Sequence, residues 1–293
     1  MKILLFGRNG QVGWELQRAL APHGELHALG SDAVDFAEPE SLAASVRAFG
    51  PDVVVNAAAH TAVDRAEAEP ERALRINAEA PAVLAREAAA AGAWLVHYST
   101  DYVFDGSGDA PRGEDAPTGP LNVYGRTKLE GERAIQASGV RHLVLRTSWV
   151  YGMRGGNFAR TMLRLAQERD RLAVIDDQIG APTGAELIAD VSAHAIRAVV
   201  AGTAQGGTYH LVAAGETSWH GYACRVIEAA RAKGLPVKVA REAIAAVPSS
   251  EFVTAAERPK NSRLDTGKLR RAFGLTLPPW QAGVDRLLAE IWT

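Results

Sequence analysis

The chain has 293 residues, of which 47% are hydrophobic and 23% charged, enough to bury one large α/β core or two lobes. Its net charge is -2 with acids and bases interspersed, so neither a nucleic acid nor an anionic membrane is expected as partner. The single cysteine, Cys224, excludes an internal disulfide and fits a reducing, cytoplasmic setting, and no run approaches the ~18 apolar residues of a membrane span.

The all-apolar run Ile3 to Phe6 has the pattern of a strand buried on both faces of a parallel sheet. It starts too near the N-terminus to be preceded by the apolar region of a signal peptide. It ends in Gly7-Arg8-Asn9-Gly10-Gln11-Val12-Gly13, and the helical pattern Trp14 to Leu20 follows. Strand, glycine turn and helix in that order suit a dinucleotide. Gly7 permits the tight turn, Gly10 lets backbone N–H groups approach a pyrophosphate, and Gly13 lets helix pack closely on strand. The spacing is G-x-x-G-x-x-G. A second strand is expected at Glu25 to Leu29, where a ribose-binding acid often stands; here Gly30-Ser31 comes first, with Asp32 and Asp35 later. Arg8 either meets a 2′-phosphate or is a solvated loop cation.

Pro51 to Asn56 is a third buried strand. The small residues Ala57, Ala58 and Ala59 after it would let a flat ligand lie against backbone, and His60 follows with a structural role expected. The alanine-rich stretch Glu79 to Ala93 is a helix by composition. Trp94 to Phe104 is a fourth strand passing through Ser99-Thr100-Asp101, hydroxyls that either hold a substrate carbonyl or begin a turn. The Gly-, Asp- and Pro-rich segment from Asp105 to Pro120 is long enough for a lid.

Tyr124-Gly-Arg-Thr-Lys128 then places a phenol and an ammonium one helical turn apart on one face. A phenol with a pKa of roughly 10 needs a cation beside it to exchange protons near neutrality. The bare spacing is equally that of an exposed helix pair. A fifth strand follows at His142 to Arg146. Four strand–helix alternations before residue 150 predict a doubly wound, Rossmann-like parallel sheet over 1–150. A smaller substrate-binding lobe is expected over 151–293, with later segments returning to the sheet. Helices are expected up to Glu168, over Gly184 to Val200 and over Trp280 to Trp292, with loops from Pro236 to Arg263.

The glycine turn, the Ser99-Thr100 pair and Tyr124-x-x-x-Lys128 occur in the order seen in short-chain dehydrogenase/reductases, and the chain resembles their extended branch. Phe6 to Leu16, Asn56 to Asp64, Tyr98 to Phe104, Pro120 to Gly125, Arg146 to Tyr151, Gly180 to Glu186 and Arg258 to Leu264 together resemble the dTDP-4-dehydrorhamnose reductase family over nearly the whole chain. The resemblance implies reduction of a dTDP-sugar ketone with NADPH or NADH. By it, Tyr124 would be the general acid, Lys128 would bind the nicotinamide ribose and depress the Tyr124 pKa, and Thr100 would hydrogen-bond the carbonyl. Asn9 to Val12 would face the pyrophosphate, Asp35 and Phe36 the adenosine, and Ala57 to His60 the adjacent cofactor. Asp101 and Trp149 would contact the sugar, with core packing the other reading of Trp149, and Arg258, Asn261 and Arg263 would face the dTDP phosphates, with surface salt bridges the other reading there. Gly30 departs from the acid found there in some relatives, which leaves the choice of cofactor open. The resemblance also implies Mg²⁺ at a homodimer interface, held by Glu15, Glu186 and Asp190; otherwise the last two are solvated helix acids. An epimerase or dehydratase on the same scaffold, or a non-catalytic subunit, are the competing readings; a dehydratase would pair two carboxylates beside the threonine.

Overall fold

The computed structural model describes residues 1–292. The main sheet has six strands: β1 (Lys2–Phe6), β2 (Glu25–Leu29), β3 (Val53–Asn56), β4 (Trp94–Thr100), β5 (Arg141–Thr147) and β6 (Gly207–His210). All pair in parallel, in the order β6-β5-β4-β3-β1-β2. The longer helices are α1 (Gln11–Leu20), α2 (Glu40–Phe49), α3 (Ala80–Ala90), α4 (Val123–Ala137), α5 (Phe158–Glu168), α6 (Ala185–Val200), α7 (Trp219–Ala232) and α8 (Trp280–Ile291). Among the described residues no helix is long and apolar enough to cross a membrane.

Alternation along the strands divides the core between the two faces of the sheet. Ile3, Leu5, Val53 and Val55 pack with Leu16 of α1 and Ile188 and Ile196 of α6. Leu4, Phe6 and Val54 pack on the other face with Leu42 of α2, Leu84 of α3 and Ile135 of α4. Helices on both faces explain why the strands read as unbroken apolar runs.

Residues beyond 150 divide between two places. β6 extends the sheet, and Leu269, Phe273 and Leu277 join the core beneath it. A second core gathers Tyr151, Met162, Tyr222, Val226, Trp280, Val284 and Leu288 around α5, α7 and α8. Within the expected loop from Pro236 to Arg263, Ile244–Val247 forms a short strand in parallel with Leu172–Ile175.

The chain leaves β1 for β2 on one side and then crosses to β3 on the other. That reversal opens a crevice at the carboxyl ends of β1 and β3, where open α/β sheets take their ligands.

Candidate active site

A cleft of about 690 Å³ occupies this crevice. Gly7 has φ +88°, and a Cβ on it would stand 2.7 Å from the Ala57 carbonyl carbon, so the turn lies flat against the end of β3. A Cβ on Gly13 would meet the Gly7 oxygen at 2.0 Å, which seats α1 directly on the turn. Gly10 caps α1 without a side-chain bond, and the first turn of the helix carries no acid, so the helix N-terminus is open to an anion.

The expected cofactor residues divide by position. Asn9, Gly10, Gln11, Val12, Asp35, Phe36, Ala57, Ala58 and Ala59 all line the cleft with Gly7. Gly13 supports the turn from behind. Arg8 lies outside the lining, its guanidinium paired with Asp32 and bonded to the Ala28 carbonyl at the end of β2. His60 is also outside. Its backbone N–H and carbonyl are both held by the buried Asn77 amide, at 2.9 and 3.1 Å, which fits the structural role expected of it.

Tyr124 and Lys128 both line the cleft from α4. Asn122 caps this helix by accepting from the Gly125 N–H at 2.8 Å. A Cβ at Gly125 would lie 2.2 Å from the Tyr102 oxygen, so glycine lets the helix press onto the end of β4. Burial pushes the Tyr124 phenol up to about 12; the Thr100 hydroxyl beside it works downward and the Asp101 charge upward. Lys128 is 1% exposed, and burial pushes its amine down to about 8 against the opposing pull of Glu132. Its Nζ lies 3.0 Å from His97 Nε2 and donates to the Tyr98 carbonyl at 2.6 Å. The lysine is turned toward β4, and desolvation dominates the phenol, which stays firmly protonated.

Thr100 donates to Asp101 Oδ1 at 3.0 Å, and both line the cleft. Asp101 is buried, which pushes its carboxyl up to about 6 while hydroxyls of Ser262 and Thr100 pull the other way. Trp149 has φ +48°, a region costly for a bulky residue and often occupied at functional sites. Its indole stacks on Trp219 at 3.7 Å and 13°. Both indoles and Tyr102 also line an adjoining cavity of about 280 Å³, so the two spaces meet at this stack.

Arg258 lines that second cavity but is tied to Asp64. Asn261 and Arg263 line neither. The Asn261 amide donates to the Ala110 carbonyl at 2.9 Å, holding the 105–120 loop, and Arg263 pairs with Glu216 at 2.7 Å. Both of those residues have partners within the chain, as the salt-bridge reading of this segment expects for Arg263.

Sequence reasoning overlooked Trp219, Thr147 and Ser148 among the lining residues. Gln11 Oε1, Ser99 Oγ, Asp101 Oδ2, Thr147 Oγ1 and Ser148 Oγ are all buried without a partner, and all belong to residues of this cleft. Such atoms are rare in folded proteins, and five in one crevice form a surface built for a polar ligand. With the glycine cradle, they fit a dinucleotide.

The acids expected to hold Mg²⁺ are arranged differently. Arg18 reaches Asp190 at 2.8 Å and Glu15 at 3.3 Å, so a guanidinium already neutralises two of the three. Burial holds the Glu186 carboxyl above its usual range, with Arg286 opposing and Glu15 adding to it. Among the described residues no group of three His, Cys, Asp or Glu side chains is placed to hold a metal ion. Within one copy of the chain, then, the three acids are not gathered into a cation site.

Residues 1–292 match the family model described as the RmlD substrate binding domain. The chain is 56% identical over 297 aligned positions to the dTDP-4-dehydrorhamnose reductase of Escherichia coli K12, covering 100% of this chain and 99% of that protein. The chain belongs to the dTDP-4-dehydrorhamnose reductase family. Among solved structures of the dTDP-4-dehydrorhamnose reductase family, that from Clostridium acetobutylicum is 34% identical with a TM-score of 0.90, each chain covered in full. The Bacillus anthracis reductase, solved in complex with NADP, is 33% identical with a TM-score of 0.87, covering 99% of this chain and 100% of that one. Membership in the family thus extends through both cores and is not confined to the sheet.

Proposed function

We propose that the chain reduces the C4 ketone of dTDP-4-dehydro-β-L-rhamnose to dTDP-β-L-rhamnose, with NADPH or NADH as hydride donor. The observation that carries this reading is a protonated phenol, Tyr124, set with Thr100 against a cleft whose unpaired polar atoms and glycine cradle suit a dinucleotide. It is supported by relatives that carry the same name over their whole length.

A bound nicotinamide would supply the hydride to C4. Tyr124 gives its O–H proton to the C4 oxygen, and Thr100 orients that oxygen through its hydroxyl. A general acid must hold its proton until the moment of transfer, and burial with the neighbouring Asp101 charge keeps it on Tyr124. The phenolate left behind is stabilised by the positive charge of Lys128 one turn along α4 and is reprotonated from solvent. The Trp149–Trp219 stack offers an apolar wall for the sugar and the base in the adjoining cavity.

The decisive assay follows NADPH oxidation with dTDP-4-dehydrorhamnose generated in situ. Turnover is expected, and it should fall as pH rises through about 8, because deprotonation removes the Lys128 charge. Well-folded protein without turnover removes the reading; turnover that stays flat far above that pH removes the role of the lysine charge.

We assign the choice of cofactor to the end of β2. Arg8 suits a 2′-phosphate, but Asp32 holds it and sets a carboxylate beside the same spot. Asp32→Asn frees the guanidinium and removes the repulsion. The NADPH-to-NADH ratio of kcat/KM should rise about tenfold, the effect of roughly one charge-assisted bond. Initial rates with both cofactors test this, and an unchanged ratio assigns the discrimination elsewhere.

A further inference from the structure

We propose that His97 is a positioning residue that holds Lys128 through a hydrogen bond in which the imidazole Nε2–H donates and the lysine amine accepts. The inference rests on the role given to Lys128 above. His97 lies on β4, 1% exposed, behind the cleft lining.

The direction of this bond follows from a chain of donors that begins at the backbone. The Ala58 N–H can only donate, and it reaches Asn56 Oδ1 at 3.1 Å. That contact fixes which way the Asn56 amide faces, so its NH₂ group points to His97 Nδ1, 3.1 Å away. Nδ1 must then accept. A neutral imidazole carries a single ring hydrogen, which is left to Nε2, and Nε2 lies 3.0 Å from Lys128 Nζ. An ammonium here would set N–H against N–H. A neutral amine fits instead: its lone pair takes the His97 proton donor, one of its two hydrogens goes to the Tyr98 carbonyl at 2.6 Å, and the other faces the cleft.

The surrounding charges agree. The charged and titratable groups facing Lys128 are Glu132 and Tyr124 on its own helix and His97 on β4, and Glu132 is itself bound by Arg146 of β5. Burial, the larger influence on the His97 imidazole and the one that remains when the amine is neutral, holds it well below its ordinary value, so the ring carries a single hydrogen at neutral pH. Lys128 gains its third proton by turning its lone pair away from His97. Charging the amine therefore gives up the bond to His97 while the donation to the Tyr98 carbonyl remains, and the charge is held at the cleft lining, where the reaction uses it.

Two measurements test the assignment. In ¹⁵N-labelled wild-type protein the imidazole nitrogen shifts should show His97 protonated on Nε2 with Nδ1 as an acceptor; a ring protonated on Nδ1 overturns the proposal. This readout needs no turnover, so it stands or falls apart from the reductase reading. In the second, His97→Phe keeps a ring on β4 but removes the donor that favours the neutral amine. The alkaline limb of the kcat profile should move upward by about one pH unit, the size of one such bond. A limb that moves downward, as it would if His97 accepted from an ammonium, overturns the proposal, and so does a limb that stays in place. Should His97→Phe fold poorly, the nitrogen shifts of the wild-type protein decide.

Discussion

Tyr124→Phe should lower kcat by ~10²–10⁴-fold, the range contributed by a positioned general acid, while NADPH binding is unchanged. The two effects separate because the phenol oxygen and its ring do different work. The ring packs edge-on against Tyr102, with centroids 5.4 Å apart, and phenylalanine preserves that contact. Removing the oxygen orphans nothing essential, because Thr100 keeps its bonds to Asp101 Oδ1 at 3.0 Å and to the Tyr102 N–H at 3.2 Å. The glycine turn that would hold the pyrophosphate lies at the other end of the cleft lining, on β1 and α1. Single-turnover reduction with a parallel fluorescence titration of the cofactor reads both quantities. If turnover survives, the proton comes from elsewhere, and Asp101, with its carboxyl held up to about 6, becomes the alternative donor.

The sheet was legible because its strands are covered on both faces. Ile3 to Phe6 and Val53 to Val55 have no polar residue to interrupt them, and Gly7 follows the first and, after Asn56, Ala57 the second at the ligand edge. β6 was not legible: Gly-Thr-Tyr-His is a short edge strand whose partner, β5, lies more than sixty residues earlier. The second core was hidden for a related reason, since its members are scattered from Tyr151 to Leu288 over three helices that meet only in space. In the site, residues next to a motif were found and residues brought by the fold were not. Tyr124, Lys128 and Thr100 carried local patterns, whereas Trp219 begins an ordinary Ser218-capped helix and becomes site-forming only by stacking on Trp149. For the segment near the C-terminus the resemblance implied phosphates and the residues alone left surface ion pairs open; Arg258 and Arg263 do pair with acids, Asp64 and Glu216, that stand far away in the sequence and that the segment itself could not name. The Lys128–Tyr124 spacing likewise said nothing of His97, which takes the lysine from the neighbouring strand.

The largest loss of stability is expected at a pair that touches no ligand. Arg146 and Glu132 join β5 to α4 through bonds of 2.7, 2.9 and 3.2 Å, with side-chain exposures of 5% and 1%. Arg146→Met fills much the same volume but strands a carboxylate in the interior, at a cost of about 3–5 kcal/mol. That is a large part of the ~5–15 kcal/mol that holds an ordinary domain folded. Urea denaturation should show the midpoint falling sharply, with the slope unchanged if only the native state is affected. The stranded charge, not the lost attraction, is the source of this cost, and a second variant separates the two. Arg146→Met combined with Glu132→Leu removes both charges and should recover most of the loss, because an apolar pair of similar size replaces a buried ion pair with little penalty. Arg146 has three further contacts: a bond from Nη1 to the Glu114 carbonyl at 3.1 Å, an approach of Nη1 to His210 Nε2 at 3.5 Å, and a position over the Phe104 ring at 5.2 Å. A double variant as unstable as the single one would move the cost to those contacts, and with them to the anchoring of the 105–120 loop.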